Sequence, residues 1–279
     1  MAKTGALFGK IIDKTYILIY NICYELKIIS GVFMVNFKIR LADRLIEVEC
    51  LYESTAEFCR EYLRSEGDPD FSVAVSMTDI LEERAKSDRE RELEGLPPYT
   101  PSPAYLETLA LYRKIAERLV DYDTILFHGS AIAVDGVAYI FTAKSGTGKS
   151  THTRLWREAF GERAVMVNDD KPLIKISDGE VTVYGTPWNG KHNLGSNISA
   201  PLAAIVSLER GENNKISRVD KKYLLPRIFS QTYRAVSPIA LSKTLALIDR
   251  MLDSISLYEL YCNMNPDAAT VAYEGMRGK

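Results

Sequence analysis

The sequence predicts an α/β fold, and three observations carry that prediction. An apolar run, Val137–Thr142, leads through a glycine-bearing turn into a helical stretch from Thr151 to Phe160. Further apolar runs at 124–134, 164–167 and 201–208 read as buried strands set among stretches of helical spacing. Asp135-Gly136 and Asp178-Gly179 each stand between apolar runs, which is a hairpin signal.

In chain order, the alternation of Phe37, Ile39 and Leu41, then Leu45, Val48 and Cys50, predicts two short strands. Ser54-Thr-Ala-Glu57 has capping-box spacing and predicts a helix reaching about Arg64. A turn at Gly67–Asp70 precedes an alternating strand over Phe71–Met77, and a strongly charged helix opens at Thr78 and runs through Glu94. Residues 34–95 thus read as a small α+β N-terminal domain. Four prolines in Leu96–Pro103 forbid helix and interior strand, so 96–103 is a linker. From Ser102, with Pro103 in the first turn, Leu106, Leu109, Tyr112, Ile115, Ala116 and Leu119 recur at helical spacing. The run 124–134 and the strand after Asp135-Gly136 form one predicted hairpin, which places His128 on the strand beside the one feeding the glycine turn. A second hairpin covers 172–184. Helices at 218–234 and 239–254, a strand near 257–262 and a helix from Pro266 complete residues 104–279.

Composition sets limits. The chain has 279 residues, 46% apolar and 26% charged, within the ordinary range for a soluble globular protein. A formal net charge of −2 gives no global basic field, so neither nucleic acid nor an anionic membrane is an expected partner. Cys23, Cys50, Cys59 and Cys262 are scattered without a C-x-x-C pair, which suits reduced thiols in a cytoplasmic protein. Within residues 1–33 the apolar stretch Thr15–Tyr24 falls well short of the about 20 residues a membrane helix needs. We read 1–33 as an extension, with Met34 as an alternative start. A homo-oligomer is left open.

The chemistry centres on Ala143-Lys-Ser-Gly-Thr-Gly-Lys-Ser150 and Thr151. Such a strand–turn–helix has the P-loop (Walker A) spacing, with Ala143 in place of the usual first glycine. The backbone N–H groups of Ser145, Gly146, Thr147, Gly148, Lys149, Ser150 and Thr151 would cradle nucleotide phosphates, with the helix dipole adding to the field. Lys149 would reach the β/γ-phosphates and Ser150 would ligate Mg²⁺. Phosphoryl transfer also needs carboxylates. The strand at 164–167 runs into Asn168-Asp169-Asp170, delivering two acids to a strand end. Asp169 is read as the base near the acceptor hydroxyl and Asp170 as the metal ligand, with the reverse division open. His128 is a candidate beside the γ-phosphate or acceptor, or a hydrogen-bonded core residue. Lys171 reads as a charge partner of the acids. Thr186–Asn193 is read as an acceptor-side loop through Trp188, Lys191 and His192, the alternative being a surface turn over a packed Trp188. Arg154 and Arg157, on the loop helix, receive no catalytic role.

His128-Gly, the Asp-Gly hairpin, the Gly-Lys-Ser150 turn and Asn-Asp169-Asp170, in that order, resemble the kinase core of HPr kinase/phosphorylase, a family related to ATP-dependent phosphoenolpyruvate carboxykinase. The resemblance covers about residues 124–210. It implies a P-loop kinase core with a mixed sheet over 104–279, catalytic roles for His128, Lys149 and Asp169, and a Mg²⁺ site at Ser150 and Asp170. The family's Arg-Gly-rich loop is not matched by Gly185–His192, so a divergent member is implied. The expected activity is transfer from ATP to a hydroxyl of a small molecule. A protein serine kinase/phosphorylase of HPr type, or a regulatory nucleotide-binding protein, is the alternative.

Overall fold

The computed structural model describes residues 34–93, 95–144 and 146–277. The predicted extension 1–33, Cys23 and Ser145 therefore lie outside the described residues. Asn36–Lys279 form one compact unit.

Two strands, β1 (Val35–Leu41) and β2 (Arg44–Cys50), are joined at Ala42-Asp43. Both residues have positive φ, 46° and 66°, the backbone that a two-residue hairpin turn with the right twist requires. Helix α1 follows but spans only Glu53–Phe58, then gives way to a 3₁₀ turn and the two-residue β3 (Leu63–Arg64). The expected capping box is not formed: Ser54 is inside the helix and the N-cap is Tyr52, which makes no side-chain capping bond. A carboxylate from elsewhere in the chain does that work. Glu107 is fully buried and accepts from Leu51 N (2.6 Å), Tyr52 N (3.2 Å) and the Thr55 hydroxyl. Strand β4 (Phe71–Ala74) completes a four-stranded sheet of order β3-β1-β2-β4, with β2 and β4 parallel.

Helix α2 (Met77–Leu93) is mostly charged and buries only Met77, Ile80 and Glu83; Arg113 pairs with Glu83. Residues 96–102 carry no regular element. Helix α3 (Pro103–Leu119) starts as the sequence predicts, with Ser102 Oγ accepting from Tyr105 N at 3.2 Å. Its apolar face, Leu106, Leu111, Ile115 and Leu119, is buried.

The second sheet has nine strands among the described residues: β5 (Thr124–Leu126), β6 (Ser130–Val134), β7 (Val137–Thr142), β8 (Ala164–Asn168), β9 (Leu173–Ser177), β10 (Glu180–Tyr184), β11 (Ser199–Arg210), β12 (Lys215–Arg218) and β13 (Ser256–Cys262). Four helices accompany it: α4 (Lys149–Phe160), α5 (Lys221–Gln231), α6 (Pro238–Ser254) and α7 (Asp267–Arg277). The sheet is mixed. Strands β7, β11 and β13 run parallel, β6 is antiparallel to both β7 and β8, and β5-β9-β10 continue antiparallel. The architecture is therefore mixed α/β. No helix among the described residues is long and apolar enough to cross a membrane.

Three expectations are corrected. Residues 124–134 are not one strand: β5 pairs with β9, β6 pairs with β7, and Phe127–Gly129 form the break between them. His128 therefore lies off the hairpin, its N–H donating to Gln231 O at 2.7 Å. Gly129 sits where an added Cβ would stand 2.9 Å from Ile140, which suits glycine at the corner. The helix expected over 218–234 is shorter, because Asp220 caps its start by accepting from Lys222 N at 2.8 Å. The residues before it form β12, which the sequence did not reveal because Ile216 is the one apolar residue in Lys215–Arg218.

Candidate active site

Strand direction builds the site. Because β6 is antiparallel to both β7 and β8, its start meets both of their ends. The glycine turn after β7, the His128 corner before β6 and the acids after β8 consequently reach one edge of the sheet. They line a cleft of about 840 Å³ together with Gly146, Gly148, Lys149, Ser150, Thr151, Gly190, Lys191 and His192.

The turn has the backbone its glycines allow. Gly146 and Gly148 have φ of +75° and +125°, conformations that side chains with a Cβ rarely adopt. Gly148 is the N-cap of α4 and supplies no side-chain cap, and the first turn carries no acid. The leading N–H groups of a helix have no intrahelical acceptor. This helix start therefore opens into the cleft with no side-chain cap on its donors among the described residues. Lys149 folds back within the turn, its Nζ 3.4 Å from Ala143 O, and burial lowers its pKa.

The two acids are adjacent but differently held. Asp169 is buried, and its Oδ1 accepts from Gly190 N at 2.6 Å. Burial pushes its carboxyl above the ordinary range, against the pull of that hydrogen bond. Burial also pushes Asp170 up, but His128 and Lys171 outweigh it and hold the carboxyl below its usual value. His128 Nε2 lies 3.3 Å from Asp170 Oδ1, and Lys171 Nζ 3.3 Å from Oδ2. The corner that removed His128 from the strand is what brings it to Asp170, since Gly129 N donates to Asp170 O at 3.0 Å.

Two groups whose importance the sequence did not signal hold this arrangement. Asn168 is fully buried; its Oδ1 accepts from Asp170 N (2.9 Å) and Lys171 N (2.6 Å), while its amide donates to Thr186 Oγ1 and Asn189 Oδ1, both at 3.0 Å. It staples the acid turn to the 186–190 loop. Gly190 approaches so closely that an added Cβ would stand 3.3 Å from Asp169 Oδ2. An Asn at a strand end and a Gly after Asn were visible in the sequence, but only a known partner would have given them meaning.

The acceptor-side loop divides. Lys191 and His192 are exposed and line the cleft. Trp188 does not: it is buried, stacked on Tyr112 at 4.0 Å between ring centroids, with Nε1 donating to Thr108 O at 2.8 Å. A large indole with one N–H gains most by burial with that donor satisfied, and here it anchors the loop to α3. Arg154 and Arg157 also line the cleft; Arg154 pairs with Glu158 at 2.6 Å.

No family model matches this chain, and no curated protein matches it. Among solved structures, the Hpr(Ser) kinase/phosphatase from Coxiella burnetii is similar to it at 10% identity and a TM-score of 0.33, with 55% of this chain and 97% of that chain covered.

Proposed function

We propose that this chain is an ATP- and Mg²⁺-dependent phosphotransferase acting on a hydroxyl of a small-molecule acceptor. The observation that carries the reading is one cleft in which a helix N-terminus without a side-chain cap, Lys149 and Ser150 stand with two carboxyls whose pKa values are shifted in opposite directions. Phosphates at the turn meet backbone donors and the helix dipole, and Lys149 adds a cation. Asp169, whose proton affinity burial raises, is the group suited to take the acceptor's proton. Asp170, held ionised, suits a cation.

Among the described residues no group of three or more His, Cys, Asp or Glu could hold a metal by itself. Ser150 and Asp170 offer hard oxygen donors in the cleft, which fits Mg²⁺, an ion that takes one or two carboxylates and completes its shell with water and phosphate oxygens. Bound there, Mg²⁺ would neutralise charge on the transferring phosphoryl group. His128 and Lys171 fix the orientation of the Asp170 carboxylate, and Gly190 N–H that of Asp169. Lys191 and His192 face the space left for the acceptor.

Labelled ATP incubated with pooled hydroxyl metabolites, with Asp169→Asn as the blank, tests the proposal. Transfer to one acceptor should fall by about 10²–10⁴ in the variant, the usual contribution of a positioned base, while ATP affinity stays within about twofold, a change under 0.5 kcal/mol. Equal product from both proteins would defeat the assignment of Asp169.

A further inference from the structure

The acid turn is fastened at every backbone polar atom of Asp170 and Lys171. Asn168 Oδ1 accepts from both N–H groups, Gly129 N–H donates to Asp170 O at 3.0 Å, and two hydroxyls converge on Lys171 O. One of these belongs to Thr186, at 3.0 Å, on the loop that Asn168 already holds. The other is the phenol of Tyr112, at 2.7 Å, and it comes from α3, 59 residues earlier in the chain.

Tyr112 is only 2% exposed, so it touches nothing bound in the cleft. Burial pushes its pKa up, and the hydroxyl therefore keeps its proton and can donate. The ring makes a second contact. It stacks on Trp188 at 4.0 Å between centroids and 4° between planes, and Trp188 Nε1 is bonded back to α3 at Thr108 O. Trp188 O in turn accepts from the Asn168 amide at 3.3 Å. One side chain thus bears on the acid turn through its hydroxyl and on the 186–190 loop through its ring. Phenylalanine would fill the same space, and a buried hydroxyl is unfavourable unless it is paired. What tyrosine adds here is the bond to Lys171 O.

We propose that Tyr112 is a positioning residue of the active site: through Lys171 O it sets the orientation of the Asp170–Lys171 turn, and with it the carboxylate that takes the divalent cation. The inference rests on the reading of Asp170 as a Mg²⁺ ligand. Lys171 Nζ lies 3.3 Å from Asp170 Oδ2, so a tilt of the Lys171 peptide withdraws the ammonium and frees the carboxylate to swing. Thr186 restrains that carbonyl from a loop, whereas Tyr112 anchors it to a helix. Groups that orient a ligand residue without touching the metal carry part of its affinity.

Two measurements on the full chain test this without reading turnover. In the first, calorimetry gives the affinity for ATP with Mg²⁺ and with chelator, and the ratio reports what the protein adds to the metal. Wild type should bind ATP about tenfold tighter with Mg²⁺, and Asp170→Asn should abolish most of that gain. Tyr112→Phe should cut the ratio about threefold while metal-free ATP affinity stays within about twofold. In the second, hydrogen exchange of the metal-free, nucleotide-free protein should show the amides of Asp170 and Lys171 opening about tenfold faster in Tyr112→Phe, with α3 amides at wild-type rates. A Tyr112→Phe protein that melts earlier but keeps the wild-type ratio overturns the proposal, because the hydroxyl then serves stability alone. Equal protection at residues 170–171 in the two proteins overturns it as well. Should wild type bind ATP no tighter with Mg²⁺ than without, the metal reading of Asp170 itself fails, and this one with it.

Discussion

Asp169 and Asp170 are neighbours on the chain, yet their surroundings drive their carboxyls in opposite directions. The division depends on what each can reach: Asp169 has only backbone N–H groups and the negative charge of Asp170 beside it, whereas Asp170 has an imidazole and an ammonium. The hydrogen bonds and the Lys171 charge at Asp170 outweigh its desolvation; the backbone donors at Asp169 do not. His152 shows burial acting alone, pushing its imidazole down to about 4 from 6.5. The unfolded chain takes up a proton as pH falls below 6.5, and the folded chain refuses it until about 4. Stability should therefore be unaffected by this residue above 6.5 and decline through that window, by on the order of 3 kcal/mol in total. Denaturant midpoints of metal-free protein between pH 7.5 and 4.5 would show it, as a steeper loss than in His152→Gln. Matching slopes in the two proteins would refute it.

At the scale of elements, what places the chemistry is the antiparallel seating of β6 between β7 and β8. A parallel β6 would have carried the His128 corner to the opposite edge. A second elementary device is the Glu107 carboxylate, offered by α3 to the start of α1, where it stands in for the missing side-chain cap. Burial raises its pKa, but three donors converge on it. Glu107→Ala would leave Leu51 N–H, Tyr52 N–H and the Thr55 hydroxyl buried without an acceptor, at about 1–3 kcal/mol for each group that water cannot reach. We expect a loss of roughly 3–5 kcal/mol, the range seen when one partner of a buried charged contact is removed. Urea unfolding monitored by tryptophan fluorescence checks it; a loss under about 1 kcal/mol would mean that the contact is replaced by water.

For the whole molecule, the distribution of charge matters more than its sum. The chain carries a formal −2, but its cleft is lined by Lys149, Arg154, Arg157 and Lys191 against Asp169 and Asp170. A concave site of this sign concentrates the field and draws in polyanions. ATP affinity should therefore fall severalfold between about 0.05 and 0.5 M salt, as the screening length shortens from roughly 14 to 4 Å. Equilibrium dialysis measures it directly, and an affinity indifferent to salt would show that the cations are compensated.

Much of this was legible locally. Glycine turn, hairpins and strand ends follow from short-range chemistry: Gly146 and Gly148 are the residues that accept positive φ, Asp135-Gly136 turns a hairpin, and Ser102-Pro103 starts a helix. Those signals determined that a strand feeds a glycine turn and that another ends in two acids. The capping box at Ser54 misled because a remote carboxylate, Glu107, took the capping role. Trp188 misled because its ring gains more from Tyr112 than from a cleft. The sequence by itself determined which chemical groups the protein owns and which local turns carry them. Only the tertiary structure decided that His128 meets Asp170 and that Asn168 and Gly190 orient the acids. Such contacts join residues far apart on the chain, so strand pairing and burial settle them, and no local pattern records them.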